Sequence, residues 1–254
     1  MMTRRILHAG DLIYLEVEEG GYVHIEGCTD FRLGCLPPSS ASSDSRLPFA
    51  ECLFRVTPKL LYDMTKSYKK AINVRSKKVL EPEDRDVLRS NVAREEESNA
   101  ACLDRIVETE CQITYGATIQ LQHVKSGKFV VAMSRTLAEM DKGRLRIGVL
   151  EKGSSKAWFT LRPCYKTRTT GSFVYFSDFV TIARAKCPDQ KLNVSSFPYA
   201  RDQYNRKEIN LHHNGSRMQL KRYAEGVSKE DKTFQVTFLL TFDCWFFFKQ
   251  YNIN

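Results

Sequence analysis

Residues 115–130, YGATIQLQHVKSGKFV, are compatible with two different structures. Its Gly-Lys dipeptide resembles the end of a phosphate-binding loop, which needs the pattern Gly-x4-Gly-Lys-Ser/Thr followed by a helix. Gln122 and Phe129 occupy the positions where that loop requires Gly and Ser or Thr, and strand-like residues follow. Apolar and polar residues instead alternate on both sides of Ser126-Gly127, which predicts a β-hairpin that turns at these two residues.

The same pattern of strand, polar turn and strand recurs three times along the chain. The copies are GDLIYLEVEEGGYVHI from Gly10, GATIQLQHVKSGKFVV from Gly116 and SDFVTIARAKCPDQKLNV from Ser177. A later strand recurs as FRLGCL at 31–36, LRIGVL at 145–150 and MQLKRY at 218–223. A closing strand recurs as CLFRVTP at 52–58, AWFTLRP at 157–163 and KTFQVTF at 232–238.

Three repeats of four short strands predict a mainly β fold, the β-trefoil, in which closure of a barrel buries faces that no single repeat can bury. The alternation within the strands also predicts which side chains face the core. These are Leu12, Tyr14, Phe54, Ile119, Leu121, Trp158, Phe159, Val180, Ile182 and Phe234.

The first and second repeats are separated by a stretch with helical spacing. Pro58 suits the first turn of a helix, and apolar residues follow at intervals of three or four: Leu60, Leu61, Met64, Tyr68 and Ile72. A second segment starts near Pro82, where acidic residues favour a helix N-terminus. We expect the acidic run at 95–97 to form a solvated face or to contact another basic surface.

These patterns divide the chain into a body, an arm and a tail. The trefoil body is predicted over residues 5–58 and 108–240, and the inserted helix–turn–helix arm over residues 59–107. Residues 241–254 form an aromatic C-terminal tail without an assignment. The segment at 196–216 reads as a polar loop.

The charge of the chain allows an anionic partner. The formal net charge is +9, which suits a phosphoinositide, an inositol phosphate, a nucleic acid or an acidic protein, although the excess could also serve only to solvate the surface. The N-terminal residues, MMTRRILHAGD, contain no apolar run of signal-peptide length, and no run in the chain reaches the length of a membrane helix. We therefore expect reduced cysteines, in the cytosol or facing it.

The sequence contains no recognisable catalytic or metal-binding pattern. Its eight cysteines form no CxxC pair, and the adjacent His212 and His213 are a weak metal signal without further ligands. Nucleophile, metalloprotease and dinucleotide-binding motifs are also missing. The composition and motifs favour a binding or regulatory module that is not an enzyme and needs no cofactor or metal.

Three segments carry a resemblance to a known family. FAECLFRVTPKLLYDMTKSYKKA at 49–71, the hairpin at 115–130, and KAWFTLRPCYKTRTTGSFVYFSDFVTI at 156–182 closely resemble the N-terminal domain of inositol 1,4,5-trisphosphate receptors. The resemblance extends over roughly residues 5–240. Ryanodine receptors share the fold but are more distant.

The resemblance implies a regulatory role rather than a direct ligand site. In the family this suppressor, or ligand-coupling, domain is a β-trefoil with a helical arm on the cytosolic face of the endoplasmic reticulum membrane. It modulates the ligand affinity of the following binding core and couples ligand binding to opening of a calcium-release channel. By this resemblance no residue of the chain binds the ligand directly, and the binding core and the pore lie outside the chain.

The resemblance also implies partners. They are the inositol trisphosphate-binding core, the neighbouring subunits of a tetrameric channel, and calmodulin-like calcium-binding regulators. It implies neither nucleic-acid binding nor direct insertion into the membrane. The alternative is a stand-alone β-trefoil that binds an anionic ligand or a protein partner through its basic surface.

The candidate coupling interface lies in the loop at 163–172, PCYKTRTTGS. The family carries an aromatic residue needed for coupling at this place, and Tyr165 matches it, with Lys166 and Arg168 in the same loop. A tyrosine in a basic loop is a good interface anchor because it offers apolar area with a polar tip. The alternative is that Tyr165 packs on the rim of its own barrel.

Overall fold

The computed structural model describes residues 5–25, 32–37, 49–72, 81–106, 108–200 and 205–223. Within these residues the chain is mainly β, as predicted. The strands are β1 (Leu12–Val17), β2 (Tyr22–His24), β3 (Gly34–Leu36), β4 (Phe54–Pro58), β5 (Thr118–His123), β6 (Phe129–Leu137), β7 (Leu145–Leu150), β8 (Phe159–Pro163), β9 (Phe179–Arg184), β10 (Cys187–Pro198), β11 (Lys207–His212) and β12 (Met218–Arg222).

The helices of the described residues are few. They are α1 (Phe49–Cys52), α2 (Asp63–Ile72) and α3 (Pro82–Asp104), with a short 3-10 helix at Ser155–Ala157. None of these helices is both long and apolar enough to cross a membrane. The chain divides into two compact units, and the second, Tyr223–Asn254, lies outside the described residues apart from Tyr223.

Six strands form a closed ring of antiparallel pairs, in the order β1, β4, β5, β8, β9, β12 and back to β1. The other six strands form three hairpins, β2–β3, β6–β7 and β10–β11. β11 pairs with both β3 and β7 and so links the hairpins to one another. Each hairpin falls between two ring strands in the chain, so the order strand, hairpin, strand repeats three times.

The main hydrophobic core joins all six ring strands. Six of the side chains predicted to face inward are buried within it: Phe54, Ile119, Leu121, Phe159, Val180 and Ile182. Burial of each such side chain contributes about 1.5–3 kcal/mol relative to exposure. Trp158 differs from the prediction because it is only half-buried.

The predicted phase of β1 is wrong by one residue. The buried side chains of β1 are Ile13, Leu15 and Val17, whereas Leu12 and Tyr14 are only partly covered. Both faces of LIYLEV begin with apolar residues, so alternation alone does not choose between them. The neighbouring strands determine which face of β1 is buried, because Ile13 lies opposite Phe54 of β4 and Leu15 lies opposite Leu220 of β12.

The strand assignment in the third repeat is also wrong. β12 (MQLKR) pairs with β1 and β9 and so holds the closing position that β4 and β8 hold in the other repeats. The later strand is β11, within the segment interpreted as a polar loop. Glu208 and Asn210 are buried on this strand. Because both residues are polar, the apolar alternation that predicts a strand is missing. The predicted closing strand at 232–238, with Phe234, and the tail at 241–254 lie outside the described residues.

The predicted start of the first arm helix is wrong, and the start of the second is confirmed. Pro58 ends β4, where it lies opposite Ile119, so α2 begins only at Asp63. α3 begins at Pro82, with Pro in its first turn. A second, smaller apolar cluster is formed by Leu60, Phe129, Val131 and Ala157, with Leu103 at its edge. This cluster packs the ends of the helical segments against the second repeat.

Glu95 does not lie on a solvated face. Its carboxylate is buried and accepts hydrogen bonds from the backbone amides of Met64 (2.8 Å) and Thr65 (3.0 Å) and from the Thr65 hydroxyl (2.8 Å). Burial alone would raise the pKa of Glu95, but the hydrogen bonds from Thr65 and Met64 outweigh it and lower the pKa. Glu95 therefore caps the N-terminus of α2 from the middle of α3, an anion at the positive end of a helix.

Candidate functional site

The stretch at 115–130 is the hairpin that its alternation predicts. β5 and β6 are joined by a turn in which Gly127 has a positive φ of +66°. The Gly127 amide donates to the His123 carbonyl at 2.8 Å, and the His123 amide donates to the Lys128 carbonyl at 2.8 Å. The Gly-Lys dipeptide therefore closes a β-turn.

The loop that contains Tyr165 leaves the end of β8 and presents an aromatic side chain to solvent. The side chain of Tyr165 is 49% exposed, and Lys166 beside it is exposed too. The Tyr165 ring meets Phe179 edge-on at 6.2 Å, and the Arg217 guanidinium lies 5.9 Å from the ring centre. Tyr165 thus touches the rim of its own barrel with one edge and leaves half of its surface available.

Arg168 points back into the fold. Its guanidinium lies 3.7 Å from the Asp178 carboxylate and 4.7 Å from the centre of the Tyr175 ring. The two charged side chains are 27% and 10% exposed, so the pair is partly shielded from water. Arg168 therefore fastens the loop to the start of the third repeat, while Tyr165 and Lys166 form its outer surface.

Tyr115 supplies the floor of the loop. Its amide donates to the Ser172 carbonyl and its carbonyl accepts from the Gly171 amide, both at 2.9 Å. Its hydroxyl donates to the Asp178 carboxylate at 3.0 Å. Burial, followed by the charge of Asp178, raises the pKa of Tyr115, so this phenol stays protonated. One tyrosine thus holds the loop at both its backbone and its anchoring carboxylate.

Gly116 allows the loop to lie close to the hairpin. Its φ is +87°, and a Cβ at this position would lie 2.6 Å from Cγ2 of Thr170. Any side chain here would both strain the backbone and strike the loop. In the sequence, Tyr115 and Gly116 mark only the start of a strand. Their contact with a loop that lies some 50 residues further along the chain depends on the fold.

Arg217 is held in place by a surface ion pair. Its guanidinium lies 3.2 Å from the Glu18 carboxylate, and this charge is the main reason that the pKa of Arg217 is raised. The cations near the Tyr165 ring therefore differ in whether they form an ion pair. Arg168 and Arg217 are each paired with a carboxylate, whereas Lys166 points to solvent.

His212 and His213 lie next to each other at the end of β11. The rings of His212 and His213 are 6.0 Å apart, and Nδ1 of His212 accepts from the Asn214 amide at 3.3 Å. No group of three or more His, Cys, Asp or Glu side chains is placed to hold a metal among the residues that the structure describes.

The chain matches known proteins over most of its length. A family model described as "Inositol 1,4,5-trisphosphate/ryanodine receptor" matches residues 2–229. Over 209 residues the chain is 24% identical to the inositol 1,4,5-trisphosphate receptor itr-1 of Caenorhabditis elegans. That alignment covers 75% of this chain and 7% of the relative, so the chain spans only a small part of the relative's length.

Proposed function

Because this chain belongs to the inositol 1,4,5-trisphosphate/ryanodine receptor family, we propose that it is the regulatory N-terminal domain of an inositol 1,4,5-trisphosphate-gated calcium-release channel. In this role it is not an enzyme. It lowers the affinity of a following binding core for the ligand and relays ligand binding toward a pore. It works on the cytosolic face of the endoplasmic reticulum membrane, with the binding core, neighbouring channel subunits and calmodulin-like regulators as partners.

The ring of six strands supports a β-trefoil as the fold of this domain. The threefold order of ring strand, hairpin and ring strand is the arrangement that such a fold requires, and each of the three hairpins lies between two ring strands. α2 and α3 fall between β4 and β5, which supports an arm over residues 59–107 inserted into a body of residues 5–58 and 108–240.

The single observation that carries the coupling role is the exposed ring of Tyr165 on a loop that is otherwise tied down. The 49% exposure of this side chain leaves it free to enter a pocket of another domain. The loop behind it is fixed by Arg168, Asp178 and Tyr115. A preorganised aromatic anchor loses little conformational entropy when it docks, and such anchors dominate interface energies. Lys166 and Arg168 complete the proposed interface, Lys166 by contact and Arg168 by holding the loop.

The proposal is tested by measuring ligand affinity. Calorimetry with inositol 1,4,5-trisphosphate is expected to give no binding to this chain alone. When the chain is fused in front of the binding core of a receptor, the core is expected to bind the ligand more weakly than it does without the chain. This follows because the domain favours one conformation of the core. Micromolar binding by the chain alone, or equal affinity of the core with and without the chain, would contradict the proposal.

A further inference from the structure

A second aromatic group, which is partly accessible, lies at the opposite end of β8. Trp158 immediately precedes β8 and Tyr165 follows it, so the two rings are roughly 20 Å apart along the strand. Trp158 is half-buried, and its indole Nε1 donates to the Leu60 carbonyl at 3.1 Å. The Tyr62 ring lies 6.3 Å away. Trp158 is thus held in one orientation by the segment that leads into α2.

Two lysines, from the segments that follow β4 and β9, approach the same indole. Lys59 follows β4, and its ammonium lies 4.5 Å from the centre of the Trp158 ring. Lys186 lies in the turn between β9 and β10, and its ammonium is 5.1 Å from the same point. Both side chains are exposed. The ring attracts each ammonium, but two positive charges brought to one ring also repel each other.

Neither lysine is neutralised within the described part of the chain. The lysines that form ion pairs there are others: Lys125 with Glu51, Lys152 with Glu96, and Lys221 with Glu16. Lys156, in the adjacent 3-10 helix, is also exposed and adds a third positive charge nearby. The Trp158 patch, defined as Trp158, Tyr62, Leu61, Lys59 and Lys186, therefore combines unpaired cations with uncovered apolar area.

We propose that the Trp158 patch binds an acidic peptide segment of a partner protein. Carboxylates of the segment pair with Lys59 and Lys186, and a neighbouring apolar side chain packs on the indole. A peptide fits better than a free phosphate because Leu61, which lies in the chain between the two residues that contact Trp158, is 50% exposed, and a phosphate ion makes no use of that apolar surface. The charge of the segment relieves the repulsion between the two ammonium groups, and its apolar side chain covers the surface between them.

Trp158 itself reports the binding. The chain has two tryptophans, so Trp245→Phe leaves Trp158 as the only one. The full chain with this substitution is titrated with a synthetic peptide of glutamate, aspartate and leucine while tryptophan emission is recorded. We expect a saturable change that weakens as salt is added. The double variant Lys59→Gln/Lys186→Gln is expected to raise the Kd by about tenfold or more.

The matched control removes the same charge elsewhere. Lys69→Gln/Lys142→Gln changes two exposed lysines outside the patch and is expected to leave the Kd within about twofold of the parent. An equal loss of affinity in both double variants would overturn the proposal, because binding would then depend only on net charge. So would a lack of any saturable change.

Two further probes separate the anion classes. Inorganic phosphate and phosphatidylcholine vesicles, with and without phosphatidylserine, are titrated against the same single-tryptophan chain. The proposal expects the peptide to bind more tightly than either. Tighter binding of phosphate or of the phosphatidylserine vesicles would overturn it in favour of a phosphate or membrane site. The proposal does not depend on the Tyr165 loop, since Tyr165→Ala is expected to leave peptide binding unchanged.

Discussion

Each end of β8 carries an aromatic ring, exposed at Tyr165 and half-buried at Trp158, and the two rings have different electrostatic surroundings. At the end with Tyr165, the nearby guanidinium groups of Arg168 and Arg217 are each paired with a carboxylate. At the end with Trp158, the ammonium groups of Lys59 and Lys186 have no carboxylate partner among the described residues. Cations that are paired with a carboxylate stabilise the local structure, whereas cations without a carboxylate partner can attract an anionic ligand. Aromatic and basic composition alone would not separate the two surfaces.

The largest effect is expected at the floor of the Tyr165 loop. Gly116→Ala should lower the free energy of unfolding by about 2–3 kcal/mol, because it combines left-handed backbone strain with a clash that the exposed Thr170 side chain must rotate to relieve. Urea unfolding measures this change. Gly127→Ala is the matched control, since Gly127 also has positive φ but has nothing within 4 Å of its Cβ position. Equal losses in the two variants would show that the contact between the added methyl group and Thr170 contributes nothing to the loss of stability.

Acid is expected to weaken the hairpin of β5 and β6, which pairs with β8 through β5. Nε2 of His123 donates to the Glu51 carbonyl at 3.1 Å, and Nδ1 accepts from the Ser126 hydroxyl at 2.8 Å. Burial lowers the pKa of His123 from 6.5 to about 4. The unfolded chain therefore binds an additional proton between these values, and stability falls as the pH drops through this window, by up to about 3 kcal/mol.

The test for His123 is the slope of stability against pH. Urea unfolding at several pH values between 4 and 6.5 should give a shallower slope for His123→Gln than for the parent chain. The comparison uses slopes, so a general loss of stability in the variant does not affect it. An identical slope would show that His123 is not the group whose protonation destabilises the hairpin.

Glu95 is expected to affect the Trp158 end alone. Glu95→Ala removes the cap of α2 and should cost about 2 kcal/mol, because several hydrogen bonds to a buried carboxylate are lost. The segment next to Trp158 then loosens, so the tryptophan emission of the Trp245→Phe chain should shift. Glu96→Ala, which breaks only the exposed ion pair with Lys152, should change neither quantity measurably. An emission shift of similar size in both variants would show that capping of α2 by Glu95 does not control the surroundings of Trp158.

Asp178 is expected to affect the Tyr165 end with the smallest cost. Asp178→Asn keeps an oxygen that accepts hydrogen bonds but removes the charge that pairs with Arg168, so a loss of about 1 kcal/mol is expected. Hydrogen exchange should become faster at the amides of Gly171 and Ser172. Glu18→Gln, which breaks the exposed pair with Arg217, is expected to leave that exchange unchanged. Unchanged exchange in Asp178→Asn would show that Tyr115 alone holds the loop.

Much of the ring could be predicted from the sequence, and the contacts between distant segments could not. Alternation predicts the buried apolar residues of β5 and β9 because they recur at every second position, although Gln120 and His123 of β5 are buried as well. It failed in β11, where Glu208 is buried and accepts from the amides of Glu139 and Met140 at 2.9 and 2.7 Å. In the sequence, a buried polar residue whose hydrogen-bond partners belong to a distant backbone segment cannot be distinguished from a loop residue. The family resemblance predicts the loop residue Tyr165, whereas alternation places Trp158 in the core and gives no sign of its lysine neighbours.

Calcium release by a full-length channel that carries this chain as its N-terminal domain is the decisive measurement for the coupling role of the Tyr165 loop. Tyr165→Ala is expected to reduce release evoked by inositol 1,4,5-trisphosphate while the ligand affinity of the binding core stays intact. Phe197→Ala, which truncates a side chain that is 58% exposed on β10, is expected to release calcium like the parent. Unchanged release in Tyr165→Ala, or an equal reduction in both variants, would contradict the role of the Tyr165 loop.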